Sequence, residues 1–153
     1  MNFLVDTHIL IWAAAHDTRL SKAAQDILNN SEHQIFASTV SIWKIAIKRS
    51  KNLVSMTVST TDFVELCVQN DFPVLPFTAR HAATVEFLPL IHADPFDRAL
   101  IAKAKLEGFR FLTHDVLLQE YGSFVELVVC FLSRAKSSLL RLLFLFSCNI
   151  IRQ

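Results

Sequence analysis

Apolar and polar positions alternate along the chain in two different rhythms. Short apolar runs occur at NFLVD (2–6), QIFAS (34–38), FPVLPF (72–77), RFLTHD (110–115) and SFVELVV (123–129). Such runs, bounded by polar or turn residues, read as buried strands. Stretches with helical spacing lie between them. Thr7 to Ala15 is the first, followed by LSKAAQDILNN (20–30) with Ser21 as its cap. TVSIWKIAIKRS (39–50) has Ser38 or Thr39 as cap and apolar residues at 42, 43, 45, 46 and 47 that wrap most of its surface. TTDFVELCVQN (60–70), capped by Thr60 or Thr61, and TARHAATVEFL (78–88) follow. The last and most periodic helix runs from Asp94 to Glu107 and is closed by Gly108.

Strands that alternate with helices predict an α/β chain, its parallel sheet covered by helices on both faces. No repeat or low-complexity linker interrupts residues 1–129, which are predicted to form one domain. At 153 residues the chain is long enough for a single sizeable core. Its 52% hydrophobic and 19% charged residues are those of a globular protein. The two glycines, Gly108 and Gly122, exclude a glycine-rich phosphate loop.

Charge changes the picture in one respect. Residues 129–153 carry Arg134, Lys136, Arg141 and Arg152 and no acid, which leaves 11 basic and 14 acidic side chains for the remainder. The body is therefore not a nucleic-acid binder by bulk charge, and any nucleic acid must be held locally or through metal ions. Cys67, Cys130 and Cys148 are odd in number and lack CxxC spacing, as expected of reduced thiols in a cytoplasmic protein. MNFLVDTHILIW has an acid at position 6 and no basic segment before its apolar run, unlike a signal peptide.

The candidate chemistry lies at the predicted strand ends. Asp6 closes the first strand and Asp115 the fourth, while Asp97 sits in the first turn of the helix that leads into the fourth. Ligands of open parallel sheets bind beyond the carboxyl ends of the strands, so the three acids are predicted to share one rim. Converging carboxylates repel unless a cation lies between them, and oxygen-only ligands select a hard ion such as Mg²⁺ or Mn²⁺. HADPFDR (92–98) also has a local reading: Asp94 caps the helix, Pro95 suits its first turn, and the helix dipole offsets the Asp97 charge. His8, His92 and His114 fall beside the same rim, where a zinc site of mixed His and Asp is conceivable, although the spacing matches no zinc signature. Trp12 and Trp43 are expected in core or dimer packing. Lys48, Arg49 and Lys51 are expected at a solvated helix end, with guidance of an RNA backbone as the functional alternative.

FLVDTHILIWAA, LSKAAQDIL, STVSIWKIAIK, HADPFDRALIAKAKLEG and FLTHD, in this order, resemble the PIN-domain family, and within it the bacterial VapC-type toxins. The resemblance spans about residues 2–128. It implies a three-layer α/β/α fold around a parallel sheet of about five strands. It also implies a Mg²⁺- or Mn²⁺-dependent endoribonuclease, the toxin of a type II toxin–antitoxin system. A small antitoxin, an RNA substrate and a second copy of the chain in a homodimer are the partners expected. By position, Asp6, Asp97 and Asp115 match metal-binding catalytic acids, Asp94 supports the helix start, and Thr7 and Thr113 are hydroxyls that orient carboxylates.

Lys44 departs from the family pattern, which has glutamate there. Its ammonium is expected either to take the cation's place against Asp6 or Asp97, or to reach solvent. The first outcome implies attenuated cleavage or a catalytically inactive PIN-fold protein that binds antitoxin or RNA without cutting. Residues 130–153 form an apolar, basic extension beyond the family domain. LLRLLFLF is too short for an integral membrane span, which leaves an amphipathic surface helix or an extension without a role of its own.

Overall fold

The computed structural model describes residues 1–53 and 59–129. The extension at 130–153, and the readings placed on it, lie outside the described residues. Five strands form one parallel sheet: β1 (Asn2–Val5), β2 (Gln34–Ser38), β3 (Val74–Leu75), β4 (Arg110–Thr113) and β5 (Val125–Leu127). Their spatial order is β3-β2-β1-β4-β5. Six α-helices accompany them among the described residues: α1 (Thr7–Ala14), α2 (Lys22–Leu28), α3 (Thr39–Ser50), α4 (Thr60–Gln69), α5 (Ala79–Thr84) and α6 (Pro95–Glu107). Single 3₁₀ segments follow at Val85–Phe87 and Val116–Tyr121.

The period-two alternation of the central strands builds the three layers. Phe3, Val5 and Leu112 point into one apolar cluster with Ile9, Leu10, Trp12, Ala24, Ile45 and Phe63. Leu4 and Phe111 point into the other with Val40, Leu100, Ile101, Ala104 and Leu118. Each face of the sheet is thereby covered, as a parallel sheet requires.

Order reverses at β1: β2 pairs with one edge of it and β4 with the other. This switch point opens a crevice at the carboxyl ends of β1 and β4. Three acids terminate elements there by capping the next one. Asp6 Oδ1 accepts from the His8 amide at 3.1 Å at the start of α1. Asp94 Oδ1 accepts from the Phe96 amide at 2.8 Å at the start of α6. Asp115 Oδ1 accepts from the Leu117 amide at 2.9 Å. Gly108, with a φ of 71°, supplies the left-handed residue that ends α6.

Several elements differ from the sequence expectation. FPVLPF yields only Val74–Leu75 as strand, because Pro73 and Pro76 have no amide to give to a ladder. The cap of α4 is Ser59, in a reciprocal capping box with Asp62. Asp115 stands beyond β4, opening the 3₁₀ segment. Trp43 is 62% exposed and packs edge-on against Phe96, so it belongs to no core; Trp12 is buried. The stripe of α3 that turns inward is Val40, Ser41, Lys44 and Ile45. A lysine therefore occupies an interior position on that helix.

Candidate active site

Lys44 reaches the crevice from α3 and is 1% exposed. Its Nζ lies 2.6 Å from Asp97 Oδ1 and 2.9 Å from Asp94 Oδ2. The Phe96 ring lies 5.9 Å from the ammonium and forms part of its wall. Burial pulls the Lys44 proton affinity down, but the charges of Asp97 and Asp6 and the hydrogen bonds to Asp97 and Asp94 outweigh it, and the pKa is raised. Lys44 is thus a fixed cation. It contacts Asp97 and Asp94, while its interaction with Asp6 is through charge.

Asp97 is held under the opposite pressure. Burial and the neighbouring Asp6 charge push its pKa up from 3.8 to about 6, against the pull of Lys44. A carboxylate at this cost is one whose surroundings need a cation to keep it ionised.

Asp6 is almost fully buried. Its Oδ2 accepts from the Thr113 hydroxyl at 2.6 Å. Burial opposes its charge, yet the imidazoles of His114 and His8 hold the carboxyl well below the usual range. His8 Nδ1 lies 3.7 Å from Asp6 Oδ1, and His114 Nδ1 lies 3.6 Å from Asp6 Oδ2. The Thr7 hydroxyl donates to Ser41 Oγ at 3.1 Å. Thr7 therefore ties α1 to α3, a correction to its expected contact with a carboxylate.

His92 bridges the rest of the rim. Its Nε2 lies 3.2 Å from Asp115 Oδ2 and its Nδ1 lies 3.8 Å from Asp97 Oδ2. The bond to Asp115 raises the His92 pKa despite burial, and His92 in turn helps hold Asp115 low against its own desolvation. Arg98 turns away from the acids. It donates to the carbonyls of Pro89, Val85 and Leu88 and to the Tyr121 hydroxyl, which fixes the segment before α6.

The crevice therefore gathers Asp6, Asp94, Asp97 and Asp115 with Lys44 and His92 interleaved. Lys48, expected at a solvated helix end, is half-buried beside it, its Nζ 3.3 Å from His8 Nε2. Burial and the Lys44 charge lower the Lys48 pKa.

A PIN domain model matches residues 3–123. The chain belongs to the PIN domain family. This PIN chain is 24% identical over 119 residues to Ribonuclease VapC22 of Mycobacterium tuberculosis, a match that covers 77% of the chain and 90% of that protein. Its fold is similar to a chain in the crystal structure of VapBC2 from Rickettsia felis bound to a DNA fragment from their promoter. The TM-score there is 0.61 at 13% identity, covering 84% of this chain and 98% of that one. FitAcB from Neisseria gonorrhoeae gives a TM-score of 0.53 at 16% identity, over 78% of this chain and 91% of that one. No helix among the described residues of the PIN chain is long and apolar enough to cross a membrane.

Lys44 and the two imidazoles beside Asp6 are the features that sequence reasoning left open or underread. The inward stripe at 40, 41, 44 and 45 was present in the helical spacing. The apolar residues at 42, 43, 46 and 47 mask it, because they spread hydrophobicity around the helix.

Proposed function

We propose that this chain is a VapC-type endoribonuclease, the toxin of a toxin–antitoxin pair, whose cleavage is attenuated by Lys44. The observation that carries this reading is the Lys44 ammonium at 2.6 Å from Asp97 and 2.9 Å from Asp94, where the family resemblance expects a glutamate. PIN membership and the likeness to Ribonuclease VapC22 support the ribonuclease class. The VapBC2 and FitAcB neighbours share its fold, and by analogy with the first a small antitoxin is the partner we assign. RNA is the substrate, a homodimer the expected assembly and the cytoplasm the expected compartment.

Asp6, Asp97 and Asp115 fit a hard divalent ion, Mg²⁺ or Mn²⁺, by donor type. The raised pKa of Asp97, which comes first from burial and then from the Asp6 charge, is consistent with this fit, since a bound cation would relieve both. Such an ion, when bound, supplies an activated water and neutralises charge on the phosphodiester.

The chain's own residues prepare the rest. Thr113 and the His8 amide fix both oxygens of Asp6. The Leu117 amide and His92 fix those of Asp115. Lys44 lets Asp97 and Asp94 stay ionised without an added ion, so a divalent cation must compete with a tethered ammonium. The fold gains a permanent counter-charge and the reaction loses affinity for its ion.

Incubation of structured RNAs with Mn²⁺ tests the reading. Wild type is expected to cut slowly, Lys44→Glu faster at the same Mn²⁺ concentration, and Asp97→Asn not at all. Cleavage by Lys44→Glu alone makes the natural chain the alternative: a non-catalytic PIN-fold protein that binds antitoxin or RNA. Equal cleavage by wild type and Lys44→Glu removes the assigned role of Lys44.

A further inference from the structure

The rim has a second cation locus on the side of Asp6 that Lys44 does not reach. Asp6, His8 and His114 each present a ligand atom, and these atoms all lie within 4.8 Å of one another. The two imidazole Nδ1 atoms stand 3.7 and 3.6 Å from the two Asp6 oxygens. Ligand bonds of roughly 2.0–2.2 Å around a four-coordinate ion place neighbouring ligand atoms about 3.4 Å apart, so each Asp6–His pair is within a few tenths of an ångström of that spacing, and the two imidazoles must turn towards each other to complete it.

A second observation points to a ligand. His114 Nδ1 is buried, and because Asp6 Oδ2 lies 3.6 Å away, beyond hydrogen-bond distance, it has no hydrogen-bond partner among the described residues. Buried polar atoms are normally satisfied, and an orphaned one calls for an explanation such as a missing ion. The ring is held in place by Trp12, at 4.5 Å between centroids, and by His8, at 5.2 Å. Asp6 is braced by Thr113 and by the start of α1, so the carboxylate is fixed before any ion arrives.

We propose that Asp6, His8 and His114 bind one divalent transition-metal ion of the Zn²⁺ or Co²⁺ class. Two nitrogens and one carboxylate select such an ion over Mg²⁺, which takes oxygen ligands. Three protein ligands leave a coordination position open to water or an anionic group. The charge environment contains both help and opposition. Asp94 and Asp97 contact Lys44, and Asp115 contacts His92, while Asp6 has the two histidines nearest it and feels Lys44 only through charge. Lys48 opposes, since its ammonium sits on His8 Nε2 at 3.3 Å. Metal at Nδ1 puts the His8 proton on Nε2, and Lys48 must then swing towards solvent. The spacing of His8 and His114 matches no zinc signature because they come from opposite ends of the domain, and the β1–β4 pairing is what brings both onto Asp6. The inference does not rest on RNA cleavage and survives its failure.

The test uses the untagged full chain, stripped with chelator and titrated with Co²⁺ while visible absorption is followed. One equivalent is expected to bind with bands of nitrogen ligation, and an excess of Mg²⁺ is expected to leave them in place. His8→Ala and His114→Ala are each expected to weaken binding more than about tenfold, the least that loss of an outer partner of a metal ligand costs. Lys48→Met is expected to tighten it, and His33→Ala to leave it unchanged. On the unmutated chain, paramagnetic Co²⁺ is expected to broaden the ring resonances of His8 and His114 before those of His33 and His81, which keeps the test independent of how the variants fold. Absence of saturable binding, binding untouched by both histidine substitutions, or broadening that begins elsewhere overturns the proposal.

Discussion

Two lysines are buried in this domain, and they show two opposite solutions to one problem. Lys44 and Lys103 are 1% and 2% exposed. Lys44 meets Asp97 and Asp94, and its pKa is raised in spite of desolvation. Lys103, on α6, gives its Nζ to the Pro76 carbonyl at 2.9 Å, and desolvation lowers its pKa with only partial relief from Glu107. The first is one charge in a set of charges; the second is a long apolar stem whose tip finds a dipole. Burial alone therefore does not mark a functional lysine. The company of carboxylates that would otherwise repel does.

The largest effect that sharpens this contrast is expected from Lys44→Met. It leaves Asp97 and Asp94 without their cation and should cost about 3–5 kcal/mol, the range for breaking one side of a buried pair. Lys103→Met removes one hydrogen bond to a carbonyl and relieves a desolvated ammonium, and should cost about 1 kcal/mol or less. Urea denaturation of the two variants measures both, and equal losses would erase the distinction. Asp97→Asn comes next. Lys44 keeps Asp94, and the loss of one charged hydrogen bond, about 1.5–3 kcal/mol, is offset in part by removal of a buried charge that the fold disfavours, so the net loss is expected to be well below that of Lys44→Met.

The pH dependence is subtler. Asp97 titrates at about 6 when folded against 3.8 ordinarily, so between these values the folded chain binds more protons than the unfolded one. Its contribution to stability therefore grows as pH is lowered from about 6 towards 3.8 and declines as pH rises through that window. His92 acts in the same direction at higher pH, because its raised pKa gives stability that is lost as pH rises through the folded value. Denaturation midpoints between about pH 7 and 5 should show this rise, before the carboxylates held low (Asp6, Asp94 and Asp115) oppose it at more acid pH, and Lys44→Met should move the Asp97 component to higher pH. A small effect, on the scale of Lys103→Met, is expected from Trp43→Ala. It removes an edge-on contact with Phe96 worth about 0.5–1.5 kcal/mol and loosens one wall around Lys44. Thermal melts of Trp43→Ala check it, and a loss as large as that of Lys44→Met would mean that the wall, rather than the charge, holds the pocket.

The sheet was legible in the sequence because its central strands are uninterrupted apolar runs between turn residues, and α6 because Asp94, Pro95 and Gly108 mark both its ends. The cap of α4 was harder to read. Ser59, Thr60 and Thr61 are all good caps, and only the reciprocal bond of Asp62 decides between them. The convergence of acids on one rim was an inference from strand ends. The state of that rim was not readable, because it depends on which way α3 rotates. One residue of rotation decides whether Lys44 faces water or carboxylates, and the apolar residues on both sides of it give no vote. The same strand-end argument placed His8 and His114 at the rim, but not their pairing on Asp6, since nothing local joins position 8 to position 114.

The Thr113 hydroxyl that holds Asp6 is 107 residues away along the chain, and Lys44 waits for an aspartate 53 residues later. Synthesis from the N-terminus therefore makes the first acid and the buried ammonium well before their counterparts. A nascent chain that stops short of α6 and β4 has a polar interior with nothing to neutralise it. Docking of these last elements closes the longest loops in the domain, a slow step in folding. The same charges that define the crevice thus delay the collapsed state until nearly the whole domain has emerged, and they link maturation of the crevice to completion of the fold.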